Sequence, residues 1–103
     1  MKVITVCGSF KFKKEMLEVA EELSLQGNCM ILPNFPVRGD KTSYTAEELQ
    51  VFASMHKEKI RVSDAILVVD IDGYIGETTT SEIEFAKELK KEVIYYSDLV
   101  NLT

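Results

Sequence analysis

The stretch Asp70-Ile-Asp-Gly-Tyr-Ile-Gly-Glu-Thr-Thr-Thr-Ser-Glu-Ile-Glu-Phe-Ala86 decides the fold: an apolar strand ends, a loop turns on Gly73 and Gly76, and a helix begins. With Thr79 as the cap, Ile83, Phe85, Ala86 and Leu89 project at about 100° per residue as one apolar stripe that faces a sheet. Glu82 falls near the middle of that stripe, and Glu84 points the opposite way, to solvent. Thr79-x-x-Glu82 fits a capping box, in which the Glu side chain returns to the cap residue's backbone N–H. A second reading makes Glu82 a carboxylate on the inward face at the positive end of a helix, ionised while largely withdrawn from water. Such a group suits covalent attack on an electrophilic sugar carbon. The two readings do not exclude each other.

Outward from this stretch, the chain alternates strands and helices. Ala65 to Val69 is a continuous apolar run of the kind found in central parallel strands, with Asp70 and Asp72 at its carboxyl edge. Lys2 to Val6 reads as a buried strand running into the tight turn Cys7-Gly8-Ser9. Phe12, Met16, Val19, Ala20 and Leu23 recur at helical spacing until Gly27 stops them, and Cys29 to Leu32 forms a second strand closed by Pro33. Thr45-Ala-Glu-Glu48 is a capping box opening a helix whose apolar face carries Leu49, Phe52, Ala53, His56 and Ile60. His56 therefore faces inward, as a satisfied core group or as a catalyst. Val93 to Tyr96 supplies a fourth strand, and Asp98 to Thr103 a tail that adds an edge strand or reaches a neighbour. The expected fold is α/β: a small doubly wound parallel sheet, flavodoxin-like or Rossmann-like, three-layer α/β/α, with strands in the order two, one, three, four.

Between the second strand and the second capping box, Asn34 to Tyr44 breaks any period and holds Phe35, Arg38 and Tyr44 without an obvious core. It reads equally as a lid over a ligand or as a solvated connection in which Arg38-Gly39-Asp40 is a turn.

Totals narrow the function. At 103 residues the chain is expected to be one domain over 1–103, large enough to bury about two-thirds of its unfolded surface. A formal charge of -5 argues against binding a nucleic acid polymer, which needs a clustered basic face, but not against free nucleotides. No apolar run is long enough to span a bilayer and none resembles a secretory leader, so a soluble, cytoplasmic protein without membrane attachment is expected. Cys7 and Cys29 are read as small buried hydrophobes of a reducing compartment. One histidine and two distant cysteines offer no zinc spacing, so no metal is expected.

In an open parallel sheet the ligand sits beyond the carboxyl ends of the strands where their order reverses, here between strands one and three. Gly8-Ser9-Phe10-Lys11, the Asp70–Thr80 loop and Glu82 converge there. Gly8 allows close backbone approach, Ser9 and Lys11 offer donors at one helix start, and Thr78, Thr79, Thr80 and Ser81 offer hydroxyls at another, enough to hold a small anion. The Gly-Ser turn is neither a GxGxxG fingerprint nor a P-loop.

Cys7-Gly8-Ser9, Met55-His-Lys-Glu-Lys-Ile60, Ser63-Asp-Ala65, and Gly73-Tyr-Ile-Gly76 followed by Ser81-Glu-Ile-Glu-Phe-Ala86 together resemble the nucleoside 2-deoxyribosyltransferase-like family, which includes nucleoside 5'-monophosphate N-glycosidases. The resemblance runs in order along nearly the whole chain. It implies that Glu82 is the nucleophile, attacking the anomeric carbon as the base departs, with water or a second base resolving the glycosyl-enzyme. It sets His56 about where the transferases carry an aspartate, to protonate or position the base, and Gly76 about where they carry a second, sugar-holding carboxylate, which leaves Asp70, Asp72 or Glu77 as replacements. It further implies that Ser9, Lys11 and the Thr78–Ser81 hydroxyls hold a 5'-phosphate, and that the protein is a homodimer or higher homo-oligomer, with Asn101 reaching the neighbour's site. The expected partner is a nucleoside or nucleotide, with no cofactor. The alternative is a non-catalytic nucleotide-binding sensor or regulatory module that has kept the pocket while losing the acid and the second carboxylate. A flavin-binding electron carrier fits the fold but lacks the hydroxyl-rich phosphate loop after strand one.

Overall fold

A computed structural model describes residues 1–100. Four parallel strands, β1 (Val3–Cys7), β2 (Cys29–Ile31), β3 (Ala65–Val68) and β4 (Glu92–Tyr95), lie in the order β2-β1-β3-β4. This is the flavodoxin-like order expected from the strand–helix alternation. Helices α1 (Lys13–Leu25), α2 (Ala46–Val62) and α3 (Glu77–Glu88) connect them, and a short α4 (Tyr96–Val100) follows β4. None of the described helices is long and apolar enough to cross a membrane.

Strand side chains alternate between faces, and β1 shows what this does. Ile4 and Val6 join Met16, Val19, Ala20 and Leu67 in one core, on the α1 side. Cys7 turns the other way, joining Ile60, Ile66, Val68, Ile83 and Ala86 against α2 and α3. Thr5 shares that face: its Oγ1 lies 2.6 Å from Ser63 Oγ and donates to the Lys59 carbonyl at 3.1 Å, while the Asp64 carboxylate accepts the Val3 amide at 2.8 Å. Polar bonds thus fasten β1 to the end of α2 and the start of β3. Met16, Ile60, Ile66 and Leu67 are fully buried, and truncating any one to Ala costs about 2–5 kcal/mol.

Several local readings shift. The capping box at Thr45 forms, with Glu48 N donating to Thr45 Oγ1 at 3.1 Å and Thr45 N to Glu48 Oε1 at 2.9 Å. The one expected at Thr79 does not, because α3 begins earlier: Gly76 is its cap and Thr79 is buried inside the first turn. The helix ends at Glu88, so Leu89, its C-cap, leaves the inward stripe and is exposed, while Ile83 and Ala86 stay buried and Phe85 is half-buried. Cys29 is exposed rather than core, since β2 is an edge strand. Of the tail from Asp98 to Thr103, the described part ends α4 rather than forming an edge strand. Asp70 explains this: its carboxylate accepts Ser97 N at 2.9 Å and Ser97 Oγ at 2.7 Å, tying down the first turn of α4. Asn101 lies outside the described residues.

Candidate active site

A cavity of about 650 Å³ opens beyond the carboxyl ends of β1 and β3, at the point where the strand order reverses. The turn after β1 forms one wall with Gly8, Ser9, Phe10 and Lys11. A side chain at Gly8 would be strained: its φ is 156°, and a Cβ there would stand 3.0 Å from Met16 Cε and 3.2 Å from the Val69 carbonyl oxygen. Ser9 caps the short helical turn that follows. Lys11 lays its ammonium 3.4 Å from the centroid of the Tyr74 ring, which also lines the cavity.

The connection over residues 34–44 forms the facing wall, where Asn34, Pro36, Lys41 and Tyr44 line the cavity. It is held in place from three directions. The Tyr44 hydroxyl accepts the Val37 and Arg38 amides at 3.1 and 3.2 Å, Arg38 clamps Glu48 with two bonds of 3.1 Å, and Lys59 Nζ donates to the Leu32 carbonyl at 2.8 Å and Asn34 Oδ1 at 3.3 Å. The Tyr44 ring packs edge-on against Phe52 of α2, with centroids 5.5 Å apart. The segment is part wall and part solvated connection: Asn34, Pro36, Lys41 and Tyr44 line the cavity, while Val37 to Asp40, including the Arg38-Gly39-Asp40 turn, are exposed.

Glu82 and His56 meet at the remaining side. Both line the cavity, their side chains are 16% and 11% exposed, and Glu82 Oε1 lies 3.6 Å from His56 Nε2. Cys7 Sγ sits on the same nitrogen at 3.3 Å. The three polar atoms of Cys7, His56 and Glu82 all lie within 4.8 Å of one another, a set able to hold a metal ion. Burial governs their protonation: it pushes Glu82 up to about 7, against a weaker opposing pull from Cys7. It pushes His56 down to about 4, helped by the positive charge of Lys59. The Cys7 thiol rises well above its ordinary value through burial and the neighbouring Glu82. At neutral pH the site therefore holds a neutral imidazole, a protonated thiol and a carboxyl group near its titration midpoint. A fully ionised Glu82 was the expectation; withdrawal from water outweighs the help of the helix end.

Gly76, Glu77, Thr78 and Thr79 complete the lining. Gly76 supplies no side-chain cap, so first-turn amides of α3 are left for a ligand at this edge. Of the other residues proposed from sequence, Ser81 lies in a second depression of about 410 Å³ between α2 and α3 that Glu82 also borders. The Thr80 hydroxyl donates back to the Gly76 carbonyl at 3.0 Å. Asp70, Asp72 and Gly73 stand outside the cavity's lining, Asp70 6% exposed and committed to Ser97, Asp72 exposed with φ 53°. The residue that sequence reasoning left in the core is Cys7. The available signal was strand parity: Cys7 points to the same face as Thr5, toward α2 and α3.

No protein-family model matches the sequence, and no curated protein matches it. Among solved structures, the 2-desoxiribosyltransferase from Leishmania mexicana superimposes with a TM-score of 0.68, at 17% sequence identity. The likeness is one of fold. It covers 93% of this chain and 64% of that enzyme, so the chain spans just under two-thirds of its neighbour's length.

Proposed function

We propose that the cavity is the active site of an enzyme of the deoxyribosyltransferase-like kind, one that breaks or exchanges the N-glycosidic bond of a nucleoside, deoxynucleoside or nucleoside 5'-monophosphate. The observation that carries this reading is the placement of Glu82: a half-ionised carboxylate one turn into α3, bordering a 650 Å³ cavity in a fold shared with a deoxyribosyltransferase. The volume lies within the range of about 300–1,000 Å³ typical of small-molecule sites. Phe10, Tyr44, Phe52 and Tyr74 offer aromatic surface for a base, and Ser9, Lys11, Lys41 and the amides at the start of α3 offer donors for a phosphate.

The ionised Glu82 oxygen attacks the anomeric carbon as the C–N bond breaks and its electron pair leaves with the base. A glycosyl ester on Glu82 results, and water or a second base displaces it. His56, neutral at working pH, orients the departing base through one ring nitrogen rather than delivering a full proton, which comes from solvent. The reading includes a homodimer, for which the exposed Val51, Met55 and Val62 of α2 supply apolar surface.

A second reading, a nucleotide-binding module without turnover, is favoured by one observation. Glu77 is the sole carboxylate besides Glu82 among the described residues lining the cavity, because Asp70 is engaged with Ser97. One assay separates the two: the protein, held in a metal chelator, is incubated with ribo- and deoxyribonucleosides and their 5'-monophosphates, and free base is followed by chromatography. Release that Glu82→Ala abolishes supports the enzyme. Absence of release together with a thermal shift from one of these compounds supports the binding module.

A further inference from the structure

Cys7, His56 and Glu82 come from three rigid elements, the last residue of β1, the middle of α2 and the second turn of α3. Three such donors that approach one another are the ligand number of an open zinc site, in which the fourth position is left for water or a ligand. Bond lengths of about 2.0–2.3 Å at a tetrahedral angle require ligand–ligand separations of about 3.3–3.8 Å. The observed Sγ to Nε2 and Nε2 to Oε1 distances are 3.3 and 3.6 Å, and the third pair is within 4.8 Å. Two edges of the tetrahedron are thus already in place, and the third is no longer than 4.8 Å. The charges match as well: thiolate, carboxylate and neutral imidazole sum to the two negative charges that cancel a divalent cation, so the loaded site buries no net charge. A thiolate–imidazole–carboxylate set selects a borderline-soft ion such as Zn²⁺ over Mg²⁺ or Ca²⁺.

The geometry points to Cys7, His56 and Glu82 as a binding site for a single Zn²⁺-like divalent cation, its fourth position facing the cavity that His56 and Glu82 line. Binding releases the Cys7 proton, and any proton on Glu82, to solvent while the S–metal, N–metal and O–metal bonds form. The site stands independently of the glycosyl reading. Where that reading holds, the cation occupies the oxygen that would attack the sugar, and the loaded protein is the inactive form.

Cobalt(II) is the probe, because thiolate ligation gives a near-ultraviolet charge-transfer band and a tetrahedral site gives strong visible bands. The full chain carrying Cys29→Ser, which removes the exposed second thiol, is titrated anaerobically. Saturation at one equivalent, displacement by Zn²⁺, loss of the charge-transfer band in Cys7→Ser, and at least tenfold weaker binding in His56→Ala and in Glu82→Gln are expected. Circular dichroism establishes that each variant is folded; if Cys7→Ser is not, the His56 and Glu82 variants decide. A folded protein that gives no charge-transfer band, or one whose band is indifferent to both His56→Ala and Glu82→Gln, overturns the site. Base release measured in chelator is a separate readout, so either the cation site or the glycosyl reading can fail alone.

Discussion

Glu82 Oε1 and His56 Nε2 stand 3.6 Å apart at the edge of the cavity, yet at neutral pH they are not an ion pair. Burial drives the two in opposite directions, the acid up to about 7 and the base down to about 4, so the imidazole is uncharged while the carboxyl group is only half-ionised.

If attack requires the ionised carboxylate, kcat/KM for base release, measured in chelator, rises with pH and levels off above about pH 7. His56 stays neutral across that range and adds no falling limb. A profile flat between about pH 5 and about pH 9 would remove Glu82 from the rate-determining ionisation.

Ionising Glu82 is also a burden on the folded state. Its pKa is raised from 4.5 to about 7, so the native protein holds a proton that the unfolded chain has given up, and stability falls as pH rises through that window. The full difference amounts to about 3 kcal/mol above pH 7. His56 works the other way: its lowered pKa costs stability as pH falls from 6.5 to about 4, which masks the Glu82 slope in the wild-type protein. Glu82→Gln lifts the Glu82 contribution alone. It is therefore expected to match the wild type near pH 4.5 and to exceed it by about 3 kcal/mol near pH 8 in urea denaturation of the metal-free proteins. Equal stability at both ends would show that Glu82 is not desolvated as described.

Asp70 is structural. Asp70→Ala removes the acceptor for Ser97 N and Ser97 Oγ, and a loss of about 2–3 kcal/mol is expected, with KM for any substrate unchanged because Asp70 does not line the cavity. A selective rise in KM at unchanged stability would return Asp70 to the sugar site.

Tyr44 works through the loop it anchors. Tyr44→Phe keeps the ring on Phe52 but loses the acceptor for the Val37 and Arg38 amides. Faster hydrogen exchange at those two amides and a higher KM are expected, with global stability lowered by no more than about 1 kcal/mol. Unchanged exchange would place the anchoring elsewhere, in the Arg38–Glu48 and Lys59 bonds.

How far the sequence could be read tracks how local each determinant is. The run Ala65–Val69 and the Thr45 capping box are set by neighbouring residues, and both were legible. The start of α3 was misplaced by three residues because Thr78, Thr79 and Thr80 all make plausible caps, whereas the helix begins from Gly76, which has no side chain to give a signal. Tyr96 prolongs the strand-forming run Val93–Tyr95 in the sequence, yet it opens a helix whose first turn is held by Asp70, 27 positions before Ser97. Glu82 was visible as an inward carboxylate, but its partner Cys7 was not: the Cys7–His56 contact spans 49 positions and depends on which face of β1 the cysteine occupies.

The polar fastening of Thr5, Ser63, Lys59, Asp64 and Val3 lies toward the amino ends of β1 and β3, opposite the cavity. This fastening and the candidate site therefore lie at different poles of one sheet. The cavity pole is free to drift in specificity, by exchange of the residue 34–44 wall or of the Gly76 corner, without loosening the knot that keeps the strands in register. In this architecture the shape of the cavity can be rewritten at one rim while the other stays fixed.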